Sequence, residues 1–399
     1  MPPLAPYLVE RFVSSSGQLP KPVILQVIPA LETGGAERTT LDVAAALVRE
    51  GFTALVASRG GRMEDELAKS GGELIRMEAA SKSPRVMLSN ALSLRDLIRK
   101  RNVSLIHARS RAPAWSALTA ASMADIPFVT TYHGIYNAGN PLKRFYNSVM
   151  IRADAVIANS QWTADHILRE HKRKPKRLVV IPRGVDLEVF DPAAMPPDRT
   201  AQMRKEWGVG EDDFVALLPG RLTRWKGQGV LIDALALLKA QGALGNARAI
   251  SAGVAQGRDD YEKELREKIE TAGLSAHVFI VGHVSDMATA YAASDVVISA
   301  STDPEAFGRV APEASAMAKP VIATDHGGAR ETVLTNVSGF LVPPGDAEAL
   351  ARALERVIAT PPHGRVNMGM AGRAHIIRNY SRERMCNETI ELYRALIST

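Results

Sequence analysis

The chain has 399 residues, of which 46% are hydrophobic and 23% are charged, and it contains one cysteine, Cys386. This composition is typical of soluble globular proteins, and the length predicts two domains. No apolar run approaches the roughly 18 residues that a membrane span needs. The single cysteine excludes an internal disulfide and a cysteine-based metal cluster. Since Met1–Pro20 lacks the basic start of a secretory signal, we expect a cytoplasmic protein whose residues 1–22 form a flexible extension.

The net charge of +6 is distributed unevenly along the chain. Residues 1–195 carry 26 lysines and arginines against 18 acidic residues, whereas the remainder carries 23 against 25. A basic first half favours an anionic partner, such as a phospholipid surface or an acidic acceptor. Nucleic acid is the competing partner, but recognition motifs are absent and aromatic residues make up only 5%, so we expect none. A basic face that contacts only solvent is the remaining interpretation.

The first predicted strand is the β-branched run Val23–Ile28, which precedes Gly34, Gly35 and an apolar-periodic helix through Leu47. Two adjacent glycines without a third at the required spacing do not match the dinucleotide-binding fingerprint. They allow a ligand to approach the backbone closely at the start of a helix. An ordinary tight turn is an equally good interpretation of this segment.

Six more strands are predicted in the first half, at 54–57, 74–77, 105–107, 128–132, 156–158 and 179–181. Helical stretches separate most of them, and this alternation predicts a parallel sheet that is covered on both faces. Ligands of such sheets lie beyond the carboxyl ends of the strands. His133 directly follows one predicted strand and is therefore a candidate site residue, although a lone histidine is more often structural.

Two basic segments of the first half are candidates for contact with anionic lipid. Pro84–Arg101 is a predicted amphipathic helix in which leucines alternate with arginines, and His171–Arg177 is a short basic cluster. Each basic residue near an anionic membrane adds about 1 kcal/mol of attraction. Either segment is also compatible with an exposed edge that contacts only solvent, and we favour this for His171–Arg177.

The periodicity breaks at Arg183–Pro197, a segment rich in proline and glycine that predicts an interdomain linker. The alternation then resumes, with strands predicted at 214–218, 249–252, 278–281, 296–299, 320–323 and 339–342 and final helices at 347–358 and 382–396. We therefore expect an α/β protein with two Rossmann-like domains, each built on a parallel sheet. The predicted division is an extension (1–22), a first domain (23–182), a linker (183–198) and a second domain (199–381).

A candidate phosphate clamp follows the first strand of the second domain. Arg221 and Lys226 bracket a turn whose Gly227 precedes the next helix. A guanidinium fork and an ammonium point charge are the usual pair for holding a diphosphate. Two ordinary surface cations are the alternative interpretation.

A second candidate site is the stretch 303–324, which contains two glutamates. Glu305 precedes a predicted helix start at Phe307–Arg309, and Glu313 lies about two turns later. A helix start suits a phosphate, and ionised carboxylates accept hydrogen bonds from sugar hydroxyls. This combination suits a nucleotide sugar, although an ordinary crossover with exposed glutamates has equal weight on local grounds.

Taken together, the motifs of this chain resemble a GT-B glycosyltransferase of family 4, the retaining glycosyl transferases group 1. The resemblance runs from about residue 23 to the C-terminus, and the ordered series is far more specific than any one motif. The matching segments are G-G-A-E at Gly34–Glu37, H-G at His133, G-V-D at Gly184–Asp186, G-R-L-T-R-W-K-G-Q at Gly220–Gln228, E-x7-E from Glu305 to Glu313, G-G-A-R-E at Gly327–Glu331 and G-F-L-V-P-P-G-D at Gly339–Asp346.

The resemblance implies a role for each candidate residue. Arg221 and Lys226 would bind the donor pyrophosphate, and Glu313 would bind the ribose hydroxyls. His133 would face the sugar from the first domain, and Gly35 would line the cleft near the diphosphate. The first domain would be on the acceptor side, completed by a C-terminal helix within 382–399, and the second domain would bind the donor.

The resemblance also assigns the transferred sugar to Glu305 and to the backbone at Phe307 and Gly308. The chain departs from the family pattern in a few places: Arg183, for example, stands where the family often has asparagine before G-V-D. Such departures leave the expected chemistry intact and affect the details of donor selection.

The predicted reaction is transfer of a hexosyl group from a UDP- or GDP-linked sugar to a hydroxyl of a saccharide or lipid-linked saccharide, with retention. We expect a place in cell-surface glycan synthesis, such as lipopolysaccharide or polysaccharide, at the inner face of the cytoplasmic membrane. No Asp-x-Asp pair is present, so we expect no metal and no cofactor beyond the nucleotide sugar. The alternatives are a nucleotide-sugar epimerase of the same architecture and a non-catalytic, membrane-peripheral scaffold.

Overall fold

The protein is represented by a computed structural model that describes residues 21–32, 34–136, 139–255, 257 and 259–398. Most of the predicted extension, 1–22, lies outside the described residues. Within them the secondary structure alternates between strands and helices, and the strands form two separate parallel sheets.

The first sheet has seven described strands in the order β3-β2-β1-β4-β5-β6-β7. Its strands are β1 (Val23–Val27), β2 (Thr53–Ser58), β3 (Glu73–Arg76), β4 (Val103–Ala108), β5 (Phe128–Tyr132), β6 (Ala155–Ala158) and β7 (Leu178–Val180). Side chains alternate between the two faces: Leu25 and Val27 of β1 belong to one buried cluster and Ile24 to the other. Because helices cover both faces, the central strands are mostly apolar, and their few polar side chains, such as Gln26 and His107, are buried.

Six described helices belong to this part of the chain. They are α1 (Gly35–Arg49), α2 (Glu64–Lys69), α3 (Pro84–Arg101), α4 (Arg111–Ala124), α5 (Pro141–Asn147) and α6 (Gln161–Glu170). Helix α3 has the bounds that its amphipathic pattern predicts. Proline at its first position and basic residues in its last turn explain both ends.

The second sheet has six described strands in the order β10-β9-β8-β11-β12-β13. Its strands are β8 (Phe214–Pro219), β9 (Ala247–Ala252), β10 (Val278–Gly282), β11 (Val296–Ser299), β12 (Val321–Thr324) and β13 (Gly339–Val342). In both sheets the strand order reverses beside the first strand. Such a switch point opens a crevice at the carboxyl ends of the strands.

Nine described helices follow β7 in the chain. They are α7 (Pro197–Glu206), α8 (Gln228–Ala240), α9 (Asp259–Thr271), α10 (Met287–Ala292), α11 (Val310–Ala316), α12 (Ala329–Thr332), α13 (Ala347–Ala359), α14 (Pro362–Asn379) and α15 (Arg382–Ile397). Helix α15 returns to the first sheet and packs against α1, where Met385, Ile390 and Tyr393 are part of the core. The expected α/β fold class with two Rossmann-like domains is confirmed.

Candidate functional site

A cleft with a cavity of about 590 Å³ lies between the two domains. One wall begins at α1 and includes Gly35 and Asp42, and the segment after β7 adds Arg183. The opposite wall includes Arg309 and Glu313, at the start of α11. The cleft therefore joins the carboxyl ends of both sheets, where ligands of doubly wound folds bind.

Glu305 lies in the loop between β11 and α11, and its carboxylate has two partners. The Lys226 ammonium is 2.8 Å from Oε1, and the Ser301 hydroxyl donates to the same oxygen at 2.6 Å. Neither charged side chain is well exposed, at 13% for Lys226 and 22% for Glu305. The structure therefore brings together two predicted site residues that are 79 positions apart in the chain.

The turn at Gly327 and Gly328 fixes the backbone of Glu305. The Gly328 amide donates to the Glu305 carbonyl at 3.0 Å, and a Cβ on Gly327 would overlap that carbonyl. Gly327 also has a φ of +60°, which favours glycine. This packing explains why the G-G-A-R-E motif accompanies the Glu305 loop.

Glu313 is buried on α11, and its two oxygens contact different partners. Arg309 binds Oε1 through Nε at 2.7 Å and Nη2 at 2.6 Å, and the Tyr291 hydroxyl donates to Oε2 at 3.1 Å. Burial raises the pKa of the Glu313 carboxyl, against the opposing charge of Arg309. Arg309 and Tyr291 thus hold the carboxylate of Glu313, and its predicted contact with ribose stays a prediction.

Phe307 and Gly308 precede α11, whose N-cap is Arg309, so the helix begins next to its predicted start. The Phe307 ring is buried and packs 5.9 Å from the Tyr380 ring, so only its backbone is available to a ligand. Gly308 has a φ of +73°, and both residues line a small cavity of about 10 Å³ beside Glu305. The predicted sugar contact through backbone groups is compatible with this geometry and stays a prediction.

Arg221 differs from Lys226 in its surroundings. Its side chain is exposed and has no hydrogen bond or ion pair to any described residue, whereas its carbonyl accepts from the Gln228 side-chain amide at 3.0 Å. Lys226 instead points at Glu305 and lies 4.5 Å from the Trp225 ring centre. The two cations are not held by a common partner, and the predicted pyrophosphate clamp stays a prediction.

His133 follows β5 and lines a small cavity next to the cleft, on the side of the first domain. Its Nδ1 lies 3.4 Å from Nη2 of Arg183, and its Nε2 is buried without a partner among the described residues. Burial, followed by the charges of Arg183 and Arg109, holds the pKa of His133 well below its ordinary value. The ring is therefore neutral at physiological pH, which suits a hydrogen bond to a sugar hydroxyl.

Gly35 is the first residue of α1, and the Arg183 guanidinium packs against its Cα. A Cβ at this position would overlap Arg183 Nη1 and Cζ. Burial and the nearby charge of Arg309 lower the pKa of Arg183 to about 10. Because Gly35 has no side chain, the Arg183 guanidinium can lie where the sequence predicts the donor diphosphate.

The two domains also touch beside the cleft, through the N-terminus of α6. The Glu331 carboxylate accepts from the backbone amides of Gln161 at 2.9 Å and Trp162 at 2.8 Å. The Ser160 hydroxyl donates to the Ala306 carbonyl at 2.5 Å. The residue next to Glu305 is thus anchored directly to the first domain.

Family profiles match both halves of the chain. "Glycosyltransferase Family 4" matches residues 33–189, and "Glycosyl transferases group 1" matches residues 199–375. A glycosyltransferase structure from Rickettsia africae ESF-5 has a TM-score of 0.87 and 38% identity, covering 95% of this chain and 99% of that one. The chain belongs to the family 4 glycosyltransferases of GT-B type.

Other relatives of this glycosyltransferase carry more specific names. The Anabaena protein Alr3699/HepE in complex with UDP-glucose has 27% identity and a TM-score of 0.79, covering 94% of this chain and all of that one. The D-inositol 3-phosphate glycosyltransferase of Xylanimonas cellulosilytica is 33% identical over 256 residues. That match covers 60% of each chain.

Sequence reasoning did not identify several residues of the glycosyltransferase site. Arg309 and Tyr291 bind Glu313, and Ser301 binds Glu305. The spacing of four between Arg309 and Glu313 is a detectable signal for a helical ion pair. Tyr291 and Ser301 gave no local signal, because their contacts depend on the tertiary fold.

Two findings concern the described residues as a set. No group of three or more histidine, cysteine, aspartate or glutamate side chains among them is arranged to hold a metal ion. None of their helices combines the length and the apolar character needed to cross a bilayer.

Proposed function

We propose that this glycosyltransferase moves a hexosyl group from a UDP- or GDP-linked sugar to a hydroxyl of a saccharide or lipid-linked saccharide, with retention. The observation that carries the proposal is the contact between Glu305 and Lys226. In this contact, a carboxylate that can accept hydrogen bonds from sugar hydroxyls lies next to an ammonium that can bind a diphosphate. The UDP-glucose complex of the Anabaena relative supports a nucleotide-sugar donor.

Electrostatic stabilisation of the leaving diphosphate supplies most of the proposed rate enhancement. Negative charge collects on the diphosphate as its bond to the sugar breaks, and the cations Lys226 and Arg221 stabilise that charge. The acceptor hydroxyl attacks from the same face, and the leaving oxygen takes its proton. The site therefore needs no covalent nucleophile, and neutral His133 orients the sugar.

Ligand-observed NMR against UDP-, GDP- and ADP-sugars tests the donor. We expect saturation transfer to the sugars of one nucleotide class. In Glu305→Gln we expect the signal of the sugar protons to be lost and that of the nucleotide protons to remain. Glu348→Gln, on the exposed surface of α13, is the matched control. Transfer from no nucleotide sugar would contradict the proposal, and conversion of free donor into an epimer would support the epimerase instead. The anomeric proton coupling of the product tests retention.

We propose that the reaction needs no divalent metal, because Arg221 and Lys226 supply the positive charge at the diphosphate. Turnover is expected to stay within about twofold in EDTA, since these cations do not dissociate. Loss of turnover in EDTA that Mg²⁺ or Mn²⁺ restores would contradict this part of the proposal.

We propose that the acceptor is presented at an anionic membrane on the cytoplasmic side, in the assembly of cell-surface glycans. Helix α3 supports this, because Leu88 is 56% and Leu92 37% exposed on a helix on which Arg85 and Arg99 are also exposed. Flotation with anionic vesicles is expected for the wild type and to weaken in Leu88→Ser/Leu92→Ser. Val366→Ser, an equally exposed change on α14, is the control. Flotation that is absent at every salt concentration would contradict membrane binding.

A phosphorylated sugar acceptor is the second candidate, supported by the D-inositol 3-phosphate glycosyltransferases among the relatives. The basic first half of the chain favours any anionic acceptor. Turnover with a phosphorylated acceptor and not with its dephosphorylated form would establish this alternative.

A further inference from the structure

A small cavity of about 10 Å³ lies at the carboxyl edge of the first sheet, next to the cleft. Residues that follow four neighbouring strands enclose it: Arg109 after β4, His133 after β5, Asn159 after β6 and Arg183 beyond β7. Arg183 and Thr39 also line the cleft, so the two spaces adjoin. The cavity has room for about one atom of the size of a water oxygen.

Three buried nitrogens of these residues lack a partner among the described residues: Nε of Arg183, Nδ2 of Asn159 and Nε2 of His133. The first is always a donor. The Asn159 orientation is set by Thr163, whose hydroxyl donates to Oδ1 at 2.9 Å. His133 Nδ1 faces Arg183 Nη2, which can only donate, so the neutral ring carries its proton on Nε2. All three unpaired atoms are therefore hydrogen-bond donors.

The two arginines of the cavity also lack an acidic partner. No described carboxylate lies within ion-pair distance of Arg109 or Arg183. Arg109 is 2% exposed, and its Nε and Nη2 donate only to the side-chain oxygen of Gln26. A buried cation without an anion lowers the stability of the fold. A ligand that supplies negative charge would offset this cost at the two arginines.

We propose that Arg109, Asn159 and Arg183 form an anion subsite that binds an oxygen of a phosphate group on a substrate. Nε of Arg183 and Nδ2 of Asn159 donate to this oxygen, Arg109 supplies positive charge, and Nε2 of His133 stays available to the sugar hydroxyl of the proposed function. The Arg183 guanidinium also packs against Gly35, so it extends from this subsite to the first turn of α1. The inference rests on the proposed function, in which the phosphate belongs either to the donor diphosphate or to a phosphorylated acceptor.

The test compares Arg183→Met with Arg59→Met, an exposed arginine that follows β2 at the same edge of the same sheet. Calorimetry measures UDP and GDP affinity, and thermal melting measures stabilisation by inorganic phosphate, with and without saturating nucleotide. A charge-assisted contact predicts a loss of about 10- to 100-fold in affinity for the ligand that uses the subsite, and no loss in Arg59→Met. Arg183→Lys is expected to recover part of the lost affinity.

The two phosphate sources give different results. If the subsite binds the donor, Arg183→Met weakens nucleoside diphosphate binding. If it binds the acceptor, nucleotide affinity is unchanged, and stabilisation of the nucleotide-saturated protein by inorganic phosphate is lost. In both cases the ligand-free variant melts at the same or a higher temperature than the wild type, because an unpaired cation has been removed.

A lower melting temperature with unchanged nucleotide and phosphate binding would overturn the proposal, since it would show that Arg183 has a structural role only. Failure of the wild type to bind any nucleoside diphosphate would count against the proposed function. The phosphate measurement would still report on the subsite in that case, so the two failures are distinguishable.

Discussion

The two sides of the site hold their charges in different ways. On the second-sheet side, Lys226 contacts Glu305 and Arg309 contacts Glu313, whereas the exposed Arg221 has no ion pair to a described residue. On the first-sheet side, Arg38 and Glu66 of the cleft wall form an ion pair, but Asp42, Arg109, His133 and Arg183 have no ion pair to a described residue. In the proposed function, a nucleotide sugar therefore exchanges contacts on the second-sheet side, whereas Arg109 and Arg183 on the first-sheet side are the unpaired cations of the proposed anion subsite.

The largest expected effect tests the paired side. Lys226→Met should lower turnover by about 10²- to 10³-fold, because the leaving diphosphate loses a preorganised cation. Steady-state kinetics with the identified donor measures the change. Lys268→Met is the matched control, since Lys268 also contacts a carboxylate, that of Asp233, outside the cleft. Unchanged turnover in Lys226→Met would show that the pair with Glu305 is only structural.

The next largest effect tests the charged groups of the first-sheet side that have no ion pair. Burial raises the pKa of Asp42 to about 6, and no described residue forms a hydrogen bond or ion pair with its carboxylate. A raised pKa in the folded state means that stability falls as the pH rises from about 4 to 6 and stays reduced above this range. Asp42→Asn should therefore stabilise the protein at about pH 8, by up to about 3 kcal/mol, and have no effect near pH 4.

Urea unfolding of Asp42→Asn at the two pH values checks this prediction. Asp65→Asn, a change of an exposed residue on α2, is the control and should show no pH-dependent difference. Equal stability of Asp42→Asn and the wild type at pH 8 would mean that Asp42 is already compensated in solution. It would also weaken the contrast between the two sides.

The smallest effect concerns the contact beside the cleft. Glu331→Gln keeps the size of the side chain but removes its charge from the N-terminus of α6. We expect the free energy of local opening at this contact to fall by about 1 to 2 kcal/mol. Amide exchange at Gln161 and Trp162 is expected to accelerate about 5- to 30-fold by the same free energy. The control Glu348→Gln should leave amide exchange unchanged. Unchanged exchange in Glu331→Gln would show that other contacts hold the two domains together.

The sequence was sufficient for the fold but missed one long helix. Every predicted strand is observed, because β-branched runs alternated with clear helical periods. Helix α14, Pro362–Asn379, was not predicted, since it contains Gly364, Gly369 and Gly372 and lacks a marked apolar face. Two of these glycines allow close packing: a Cβ on Gly369 would overlap the Ala318 carbonyl, and one on Gly372 would meet Ser338. Tertiary contacts therefore override local propensity there.

The candidate site was predicted only in part, for a similar reason. Motifs identified Glu305, Glu313 and Lys226 individually, but the contact between Glu305 and Lys226 joins distant segments. Arg183 was evident only as a departure from a family pattern. Its position against Gly35 depends on the path of the chain beyond β7, which no local spacing encodes.

The C-terminal helix has a consequence for biosynthesis. Tyr393 of α15 is fully buried, and its hydroxyl lies 2.5 Å from Nδ1 of His107 on β4, in the middle of the first sheet. The half of the protein that leaves the ribosome first therefore lacks part of its interior until the last helix has been translated. Its folding becomes complete only after the second half and α15 have emerged and α15 has docked on the first sheet.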